Sequence, residues 1–229
     1  MTKFYSLNDT TTEVKKLKGY HGPYITQFNE GDQIDASING NGGVAIWVKN
    51  EMDFVEELKF NLTETEDSRN RKNVIMLDYK ALKFKSETIG ELNIVGIYRI
   101  QTRLTDKTTY VRTSLSKFIK NMEIIISHDE IKNCNTIIAG DMNLDTLKDQ
   151  RYSNQYKNLL KDHGWTENII EVTHEYPNKE GGTCIDHIIT NKNFNETFVD
   201  VKNFIKTKKD PEISDHKVTM AFWSKKDVK

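Results

Sequence analysis

The stretch Thr136-Ile137-Ile138-Ala139-Gly140-Asp141-Met142-Asn143 is a short apolar run that ends directly in polar side chains. The apolar and β-branched residues predict a buried strand. A carboxylate at the end of such a strand needs a partner, because an isolated buried charge is costly. Asp141 and Asn143 are therefore the first candidate functional residues.

Two later stretches repeat this arrangement of an acid beside apolar residues. Cys184-Ile185-Asp186-His187-Ile188-Ile189 places an acid within a predicted strand, and Ser214-Asp215-His216-Lys217-Val218 places an acid and a histidine just before another. Each motif alone is weak, because Gly-Asp after a strand is a common turn and Asp-His pairs occur by chance. Together, in this order, they predict one site that contains Asp141, Asn143, Asp186, Asp215 and His216.

The remaining apolar segments of the chain define the fold class. Apolar residues three and four apart predict amphipathic helices over 113–128 and 152–163, whereas the polar segments 61–72 and 80–90 predict a loop and a hairpin turn. The strand-rich order predicts a four-layer α/β sandwich, in which two packed mixed β-sheets are flanked by helices. Strands are predicted at 44–48, 74–79, 92–98, 136–140, 184–189, 198–204 and 218–223.

Length and composition limit the possible classes of protein. The 229 residues predict a single domain over 1–229, and the net charge of −1 from 33 basic and 34 acidic residues excludes coating of nucleic acid by bulk charge. The sequence has no apolar run of membrane-span length, no signal peptide and only two cysteines. We therefore expect no membrane partner, and an intracellular, reducing compartment.

Taken together, the motifs resemble the endonuclease/exonuclease/phosphatase superfamily, the fold of pancreatic deoxyribonuclease and the apurinic endonucleases. Residues 42–49, Gly-Gly-Val-Ala-Ile-Trp-Val-Lys, are similar to a strand in the endonuclease domains of non-LTR retrotransposons. Ile97-Tyr98-Arg99 resembles the Y-R-P stretch of that group, and Thr173 fits its P-T-R segment, with His174 in place of the arginine. The resemblance extends over about 19–223.

This resemblance implies a function and a set of partners. The family hydrolyses phosphodiester bonds with a divalent cation, and the retrotransposon group nicks DNA. The expectation is therefore a Mg²⁺-dependent DNA-nicking endonuclease in the nucleus, with DNA as its partner. In a longer parent gene, a reverse transcriptase domain would be a further partner.

The resemblance also implies a role for each candidate site residue. Asp141 would act as the base or orienter of the attacking water, and Asn143 would donate to the scissile phosphate. Tyr98 would offer its phenol to the phosphate or the leaving oxygen. His216 would stabilise the phosphate charge while Asp186 holds its ring.

The expected cation is Mg²⁺, with Mn²⁺ as an alternative, and its ligands would be Asp215 and Asp141. The family pattern begins with a strand that carries an Asn, followed by an E-T-W-like segment whose Glu is the main metal ligand. No such segment precedes Gly19, where Asp9 and Glu13 are the acids present. We therefore expect the family's first strand to be missing and the activity to be weak.

Two other functions stay open at this level. The first is a catalytically impaired remnant of the domain that binds nucleic acid or a protein. The second is a phosphatase or phospholipid phosphodiesterase on the same fold, because a fold does not determine a substrate.

Overall fold

The computed structural model describes residues 18–25, 44–63, 65–67, 72–74, 77–87, 90–99, 107–148, 150–176, 180–191, 197–202 and 216–223. Three of the acids named above, Asp9, Glu13 and Asp215, lie outside these residues. The same holds for the segment in which the family's first strand would fall, so its predicted absence stays a prediction.

Short strands outnumber helices in the described part of the chain. The helices are α1 (Lys107–Ser127), α2 (Asp129–Asn133) and α3 (Arg151–Asp162). The strands are β1 (Tyr20–Ile25), β2 (Ala45–Lys49), β3 (Asp53–Leu58), β4 (Thr65–Asp67), β5 (Lys72–Val74), β6 (Leu77–Ser86), β7 (Gly90–Arg99), β8 (Asn135–Asp141), β9 (Trp165–Glu167), β10 (His174–Glu175), β11 (Gly182–Thr183), β12 (Asp186–Asn191), β13 (Thr197–Lys202) and β14 (Val218–Trp223).

Six strands form a central mixed sheet in the order β3-β6-β7-β8-β12-β9. The contact between β7 and β8 is parallel, and the other pairs of this sheet are antiparallel. The parallel pair needs a crossover connection, and α1 and α2 lie in the chain between its two strands. Two smaller sheets pair β1 with β2 and β13 with β14.

Side chains alternate between the two faces of the central sheet, because successive residues of a strand point to opposite sides. One face packs against α1 and α3, as the periodicity of those helices predicts. The members of this larger core cluster include Ala81, Val95, Ile97, Ile138 and Ile189 from the sheet, and Phe118, Met122, Ile126, Tyr156 and Leu160 from the helices.

The opposite face of the central sheet packs against the β1-β2 sheet. Ile46 and Val48 of β2 form a second core cluster with Leu82 and Phe84 of β6. A Cβ atom on Gly96 would lie 2.3 Å from a methyl group of Val44, so the absent side chain lets the two sheets approach closely. The predicted α/β sandwich of a mixed central sheet, a second sheet and helices is thereby confirmed.

Two local predictions are wrong in part. The hairpin predicted at 80–90 is present as the antiparallel pair of β6 and β7, but its turn is shorter than predicted, because β6 continues to Ser86 with Leu82 and Phe84 fully buried. The lysines that suggested a turn lie at the edges of this core, where Lys83 pairs with Glu91 and Glu130. Within 61–72, the predicted loop instead contains β4, which pairs with β5.

Helix boundaries differ less from the predictions. The first helix begins at Lys107 rather than at 113 and ends at Ser127, and the second spans Arg151–Asp162. Neither these helices nor any other in the described ranges is long and apolar enough to cross a membrane.

Gly140 offers a test of how tightly β7 and β8 pair. Its φ is +151°, and a Cβ atom there would lie 1.8 Å from the carbonyl oxygen of Ile97. Gly140→Ala should therefore lower the free energy of unfolding by about 3 kcal/mol or more, measured by urea denaturation. Gly90→Ala is the matched control, because Gly90 has φ +81° but open space around it, and should cost only about 1 kcal/mol. Equal losses in the two variants would contradict the close approach.

Candidate active site

Four polar side chains form a row across four adjacent strands of the central sheet. Asp78 of β6 pairs in register with Tyr98 of β7, Tyr98 pairs with Asp141 of β8, and Asp141 pairs with Asp186 of β12. Residues paired in register point to the same face of a sheet. This row lies on the face opposite α1 and α3, because the neighbouring residues Ile97 and Ile138 face the helices.

The Asp141 carboxylate is fixed by the turn that follows it. Its Oδ1 accepts the backbone N–H of Asn143 at 2.8 Å. Asn143 has φ +47°, a left-handed conformation that Asn tolerates better than most residues. The Asn143 side chain donates from Nδ2 to the carbonyl oxygen of Arg99 at 2.8 Å. Asn143 thus holds Asp141 in place through its backbone N–H.

A buried arginine, Arg99, holds this turn through hydrogen bonds to backbone carbonyl oxygens. Arg99 is 6% exposed, and its Nε donates to the carbonyl oxygen of Met142 at 2.7 Å. The Nη2 of Arg99 donates to the carbonyl oxygen of Asn143. The guanidinium carbon also lies over the Phe118 ring, 5.8 Å from the ring centroid. Burial lowers the pKa of Arg99 to about 10, so the group remains charged at neutral pH. The sequence analysis quoted Arg99 only as part of a motif and missed this role.

His216 joins the row through Asp186. Its Nδ1 lies 2.9 Å from Asp186 Oδ2, which is the contact that the resemblance implied. A carboxylate only accepts, so Nδ1 carries a hydrogen. The ring also packs at 4.9 Å between centroids against His174, whose backbone forms a bridge with His216. His174 was noted in the sequence only as a departure from the family pattern.

Thr173 connects the two segments that carry Asp186 and His216. Its Oγ1 accepts the backbone N–H groups of Ile185 and Asp186, each at 3.0 Å. Its carbonyl oxygen accepts the N–H of Lys217 at 2.6 Å. Thr173 is fully buried, so these bonds are shielded from water. The threonine therefore sets the distance between the acid and the histidine.

The surroundings of the row change its protonation states. Burial, followed by the neighbouring charge of Asp186, raises the pKa of Asp141 to about 7. Burial, followed by Asp141 and Asp78, raises the pKa of the Tyr98 phenol. At neutral pH Asp141 can therefore accept or release a proton, whereas Tyr98 remains a hydrogen-bond donor.

Asp78 is a member of the row that the sequence analysis missed. Its Oδ2 is buried and has no hydrogen-bond partner among the described residues, and burial raises its pKa to about 6. The sequence does contain a signal, because Asp78 interrupts the apolar segment 74–79 as Asp141 ends the apolar segment 136–140. The same reasoning applied to this strand would have identified it.

Two buried carboxylates side by side favour a cation. Asp141, Asp186 and His216 each offer one ligand atom, and these atoms lie within 4.8 Å of one another. The mutual repulsion that raises the pKa of Asp141 would be removed by a divalent cation, so the residues fit such an ion. Asp215, the other predicted ligand, lies outside the described residues.

Comparison with known proteins decides the family. A model of the endonuclease/exonuclease/phosphatase family matches residues 5–216, which is most of the chain. The chain belongs to the endonuclease/exonuclease/phosphatase family. Members of this family are hydrolases of phosphate esters and phosphodiesters that typically use divalent metals. No curated protein matches the sequence.

Solved structures of this family share the fold. A family member from Bacteroides thetaiotaomicron is 19% identical, with a TM-score of 0.51 over 79% of this chain and 70% of that chain. Truncated Caenorhabditis elegans TDP2 is 16% identical, with a TM-score of 0.50 over 87% and 73%. The 3′ phosphatase NExo from Neisseria, bound to product DNA hairpin, is 16% identical, with a TM-score of 0.50 over 80% and 75%.

The pairing of Asp186 with His216 can be tested by titration. Replacing Asp186 by Asn removes the negative charge beside Nδ1, so the pKa of His216 should be lower than in the unmodified protein. NMR titration of the histidine ring signals measures this change. Asp162→Asn, an exposed change on α3, is the control and should leave the His216 titration unaltered. An unchanged pKa in the Asp186 variant would show that the pair contributes nothing to the ring's charge.

Asp78 should reduce stability at neutral pH. Burial raises the pKa of Asp78 in the folded state from its ordinary value of 3.8 to about 6, so the folded state binds the proton more tightly and stability falls as the pH rises between these values. Asp78→Asn should therefore leave the unfolding free energy unchanged near pH 3.5 and raise it by about 1 to 3 kcal/mol at pH 8. Urea denaturation at both pH values measures the difference.

Asp129→Asn is the matched control for Asp78. Its carboxylate is exposed and pairs with Lys132, which lowers its pKa. Its replacement should give no gain at pH 8. A gain of equal size in both variants would contradict the assignment to burial of Asp78.

Proposed function

We propose that this protein is a divalent-metal-dependent DNA endonuclease that hydrolyses phosphodiester bonds. The observation that carries the proposal is the convergence of Asp141, Asp186 and His216, whose ligand atoms lie within 4.8 Å of one another. An acid that titrates near pH 7 beside a carboxylate–histidine pair suits hydrolysis of a phosphate ester at neutral pH.

In this mechanism Asp141 activates the attacking water. Its carboxylate, held by the Asn143 backbone, accepts a proton as the water oxygen attacks phosphorus in line. Without the cation the pKa of Asp141 is about 7, and a bound cation would lower this pKa and keep the group in its carboxylate form, which is the form that accepts a proton. Tyr98, protonated and next to Asp141 in register, donates to a phosphate oxygen.

His216 stabilises the charge that develops on the phosphate. Asp186 keeps the hydrogen on Nδ1, so a phosphate meets the Nε2 side of the ring. The negative charge of Asp186 favours the protonated imidazole, which is the form that donates to a phosphate oxygen. Thr173 fixes both residues, so the donor is in position before the substrate binds.

Asp141 and Asp215 would hold the divalent cation in this proposal. When bound, the cation supplies positive charge to the phosphate oxygens and makes a coordinated water more acidic. Mg²⁺ is the proposed ion, because hard cations prefer carboxylate oxygens, and Mn²⁺ is the alternative.

The choice of DNA as substrate rests on resemblance. Residues 42–49 and Tyr98-Arg99 resemble the DNA-nicking domains of non-LTR retrotransposons, which supports a mobile-element endonuclease. Among structures with the same fold, the Neisseria phosphatase is bound to a DNA hairpin. Another, from Bacteroides thetaiotaomicron, is a mannosyl-6-phosphatase, with 19% identity and a TM-score of 0.50. A sugar phosphate is therefore the substrate class to test against DNA.

Nicking of supercoiled plasmid tests the proposal. The unmodified chain should convert supercoiled to open-circular DNA with Mg²⁺ or Mn²⁺, and Asp141→Asn should slow this by about 10²-fold or more, because a general base contributes that much. Asp145→Asn, an acid outside the row, serves as the control and is first checked for folding by circular dichroism. If the chain instead releases phosphate from mannose 6-phosphate or a soluble phosphoinositide and does not nick DNA, that phosphate ester rather than DNA is the substrate class.

The metal requirement should be unusual if no N-terminal Glu completes the site. Mg²⁺ needs near-octahedral ligation, so one carboxylate fewer weakens its binding, whereas Mn²⁺ is less demanding. We expect nicking at millimolar Mg²⁺ or at lower Mn²⁺, measured as the metal concentration for half-maximal rate. Robust nicking at micromolar Mg²⁺ would mean that another acid, such as Asp9 or Glu13, fills the position, and Glu13→Gln and Asp9→Asn would identify it.

A further inference from the structure

A second cluster of metal-binding side chains lies outside the row. Glu167 of β9, Cys184 just before β12 and His187 of β12 each direct one ligand atom into a common space, and these atoms lie within 4.8 Å of one another. Cys184 and His187 are fully buried, and the Glu167 side chain is 12% exposed. His187 follows Asp186 in β12, so it points to the opposite face of the sheet, toward Tyr156 of α3.

The hydrogen bonds of His187 fix its tautomer. Its Nε2 lies 3.0 Å from the carbonyl oxygen of Leu144 and 3.2 Å from that of Cys184. Both partners only accept, so Nε2 carries the hydrogen. The lone pair of the neutral ring is therefore on Nδ1, which lies 3.8 Å from Glu167 Oε1.

The geometry of the cluster suits a tetrahedral ion. His187 Nδ1 and Glu167 Oε1 are 3.8 Å apart, whereas two ligands of a tetrahedral Zn²⁺ with bonds of about 2.0–2.1 Å are about 3.4 Å apart. Thr146 donates to Glu167 Oε1 at 2.7 Å, and backbone carbonyls orient the imidazole. Such supporting hydrogen bonds typically orient metal ligands. These two atoms would need to approach each other by about 0.4 Å to bind one ion.

We propose that Glu167, Cys184 and His187 bind one Zn²⁺ ion, separate from the cation of the hydrolytic site. A thiolate, an imidazole and a carboxylate form a ligand set typical of zinc. Zn²⁺ replaces the thiol proton of Cys184, which is released to solvent, so thiolate and carboxylate together neutralise the ion. Charge neutrality suits a buried position. The Tyr156 hydroxyl lies 3.2 Å from His187 Nδ1 and would give up that hydrogen bond when the ion binds.

The site would serve as a clamp behind the row. It would connect β9 and β12 with one ion, while the bonds from Leu144 and Thr146 tie in the segment that follows Asp141. Among the described residues Glu167 has no ion pair with a lysine or an arginine, so Zn²⁺ would also supply the positive charge that its carboxylate lacks. The proposal does not depend on the proposed DNA cleavage.

Cobalt substitution tests the sulfur ligand directly. The full chain carrying Asp141→Asn, which weakens the hydrolytic site, is stripped with chelator and titrated with Co²⁺. We expect a thiolate-to-Co²⁺ charge-transfer band at one equivalent, displaced by Zn²⁺. The band should disappear with Cys184→Ser and persist with Cys134→Ser, because Cys134 lies outside the cluster. Absence of the band, or its survival in Cys184→Ser, would overturn the proposal and leave a hydrogen-bonded core cluster.

Variants that retain the Cys184 thiol distinguish loss of zinc binding from loss of folding. Glu167→Gln retains a polar group of the same shape and should weaken Zn²⁺ binding by 10-fold or more, measured by competition with a zinc indicator. Glu175→Gln, an exposed acid, should leave binding unchanged. In chains that carry Asp141→Asn, Zn²⁺ should also raise the Tm with or without Cys134→Ser, but not with Cys184→Ser. Equal zinc affinity in Glu167→Gln and the unmodified chain would likewise refute the site.

Discussion

The parallel pairing of β7 with β8 is the contact on which the site depends. It places Tyr98 beside Asp141 in register, and it brings Arg99 directly under the turn at Met142 and Asn143. The two strands approach closely because Gly140 has no side chain, and a Cβ atom there would collide with the carbonyl oxygen of Ile97. A shift of one residue in β8 would move Asp141, its member of the row, to the helix-covered face. Register here is therefore a chemical as well as a structural requirement.

The buried polar row lowers the stability of an otherwise well-packed core. Asp78 and Asp141 have raised pKa values because burial removes water without supplying a full set of partners. By contrast, Arg99 and Thr173 have their main hydrogen-bonding groups satisfied by the backbone. The satisfied groups of Arg99 and Thr173 therefore position the site residues, and the carboxylates of the row remain available for a cation or a substrate. Such a division is typical of sites that gain their missing interactions on binding.

Much of this arrangement could be predicted from local sequence. The spacing of Phe118, Met122 and Ile126 identified a helix that indeed packs on the sheet, and the polar ends of apolar strands identified Asp141 and Asp186. Apart from the β6–β7 hairpin, strand pairing in the central sheet could not be derived, because it joins segments distant in sequence through contacts that leave no local pattern. Arg99 was missed for that reason, since its partners lie on another strand. Lys80 and Lys83 of β6 suggested a turn because their partners Glu57 and Glu130 lie 23 and 47 residues away in the sequence.

The row across the central sheet also has a consequence for folding. Asp78, Tyr98, Asp141 and Asp186 come from four strands, and His216 comes from a fifth segment, so no two of them are neighbours in sequence. Contacts between distant segments close late, because the entropy of each loop must be lost first. A partly folded chain with intact helices would hold none of the row together. Catalytic turnover in this protein would therefore report the native topology itself, and would vanish in a compact intermediate that spectroscopic helix content fails to distinguish.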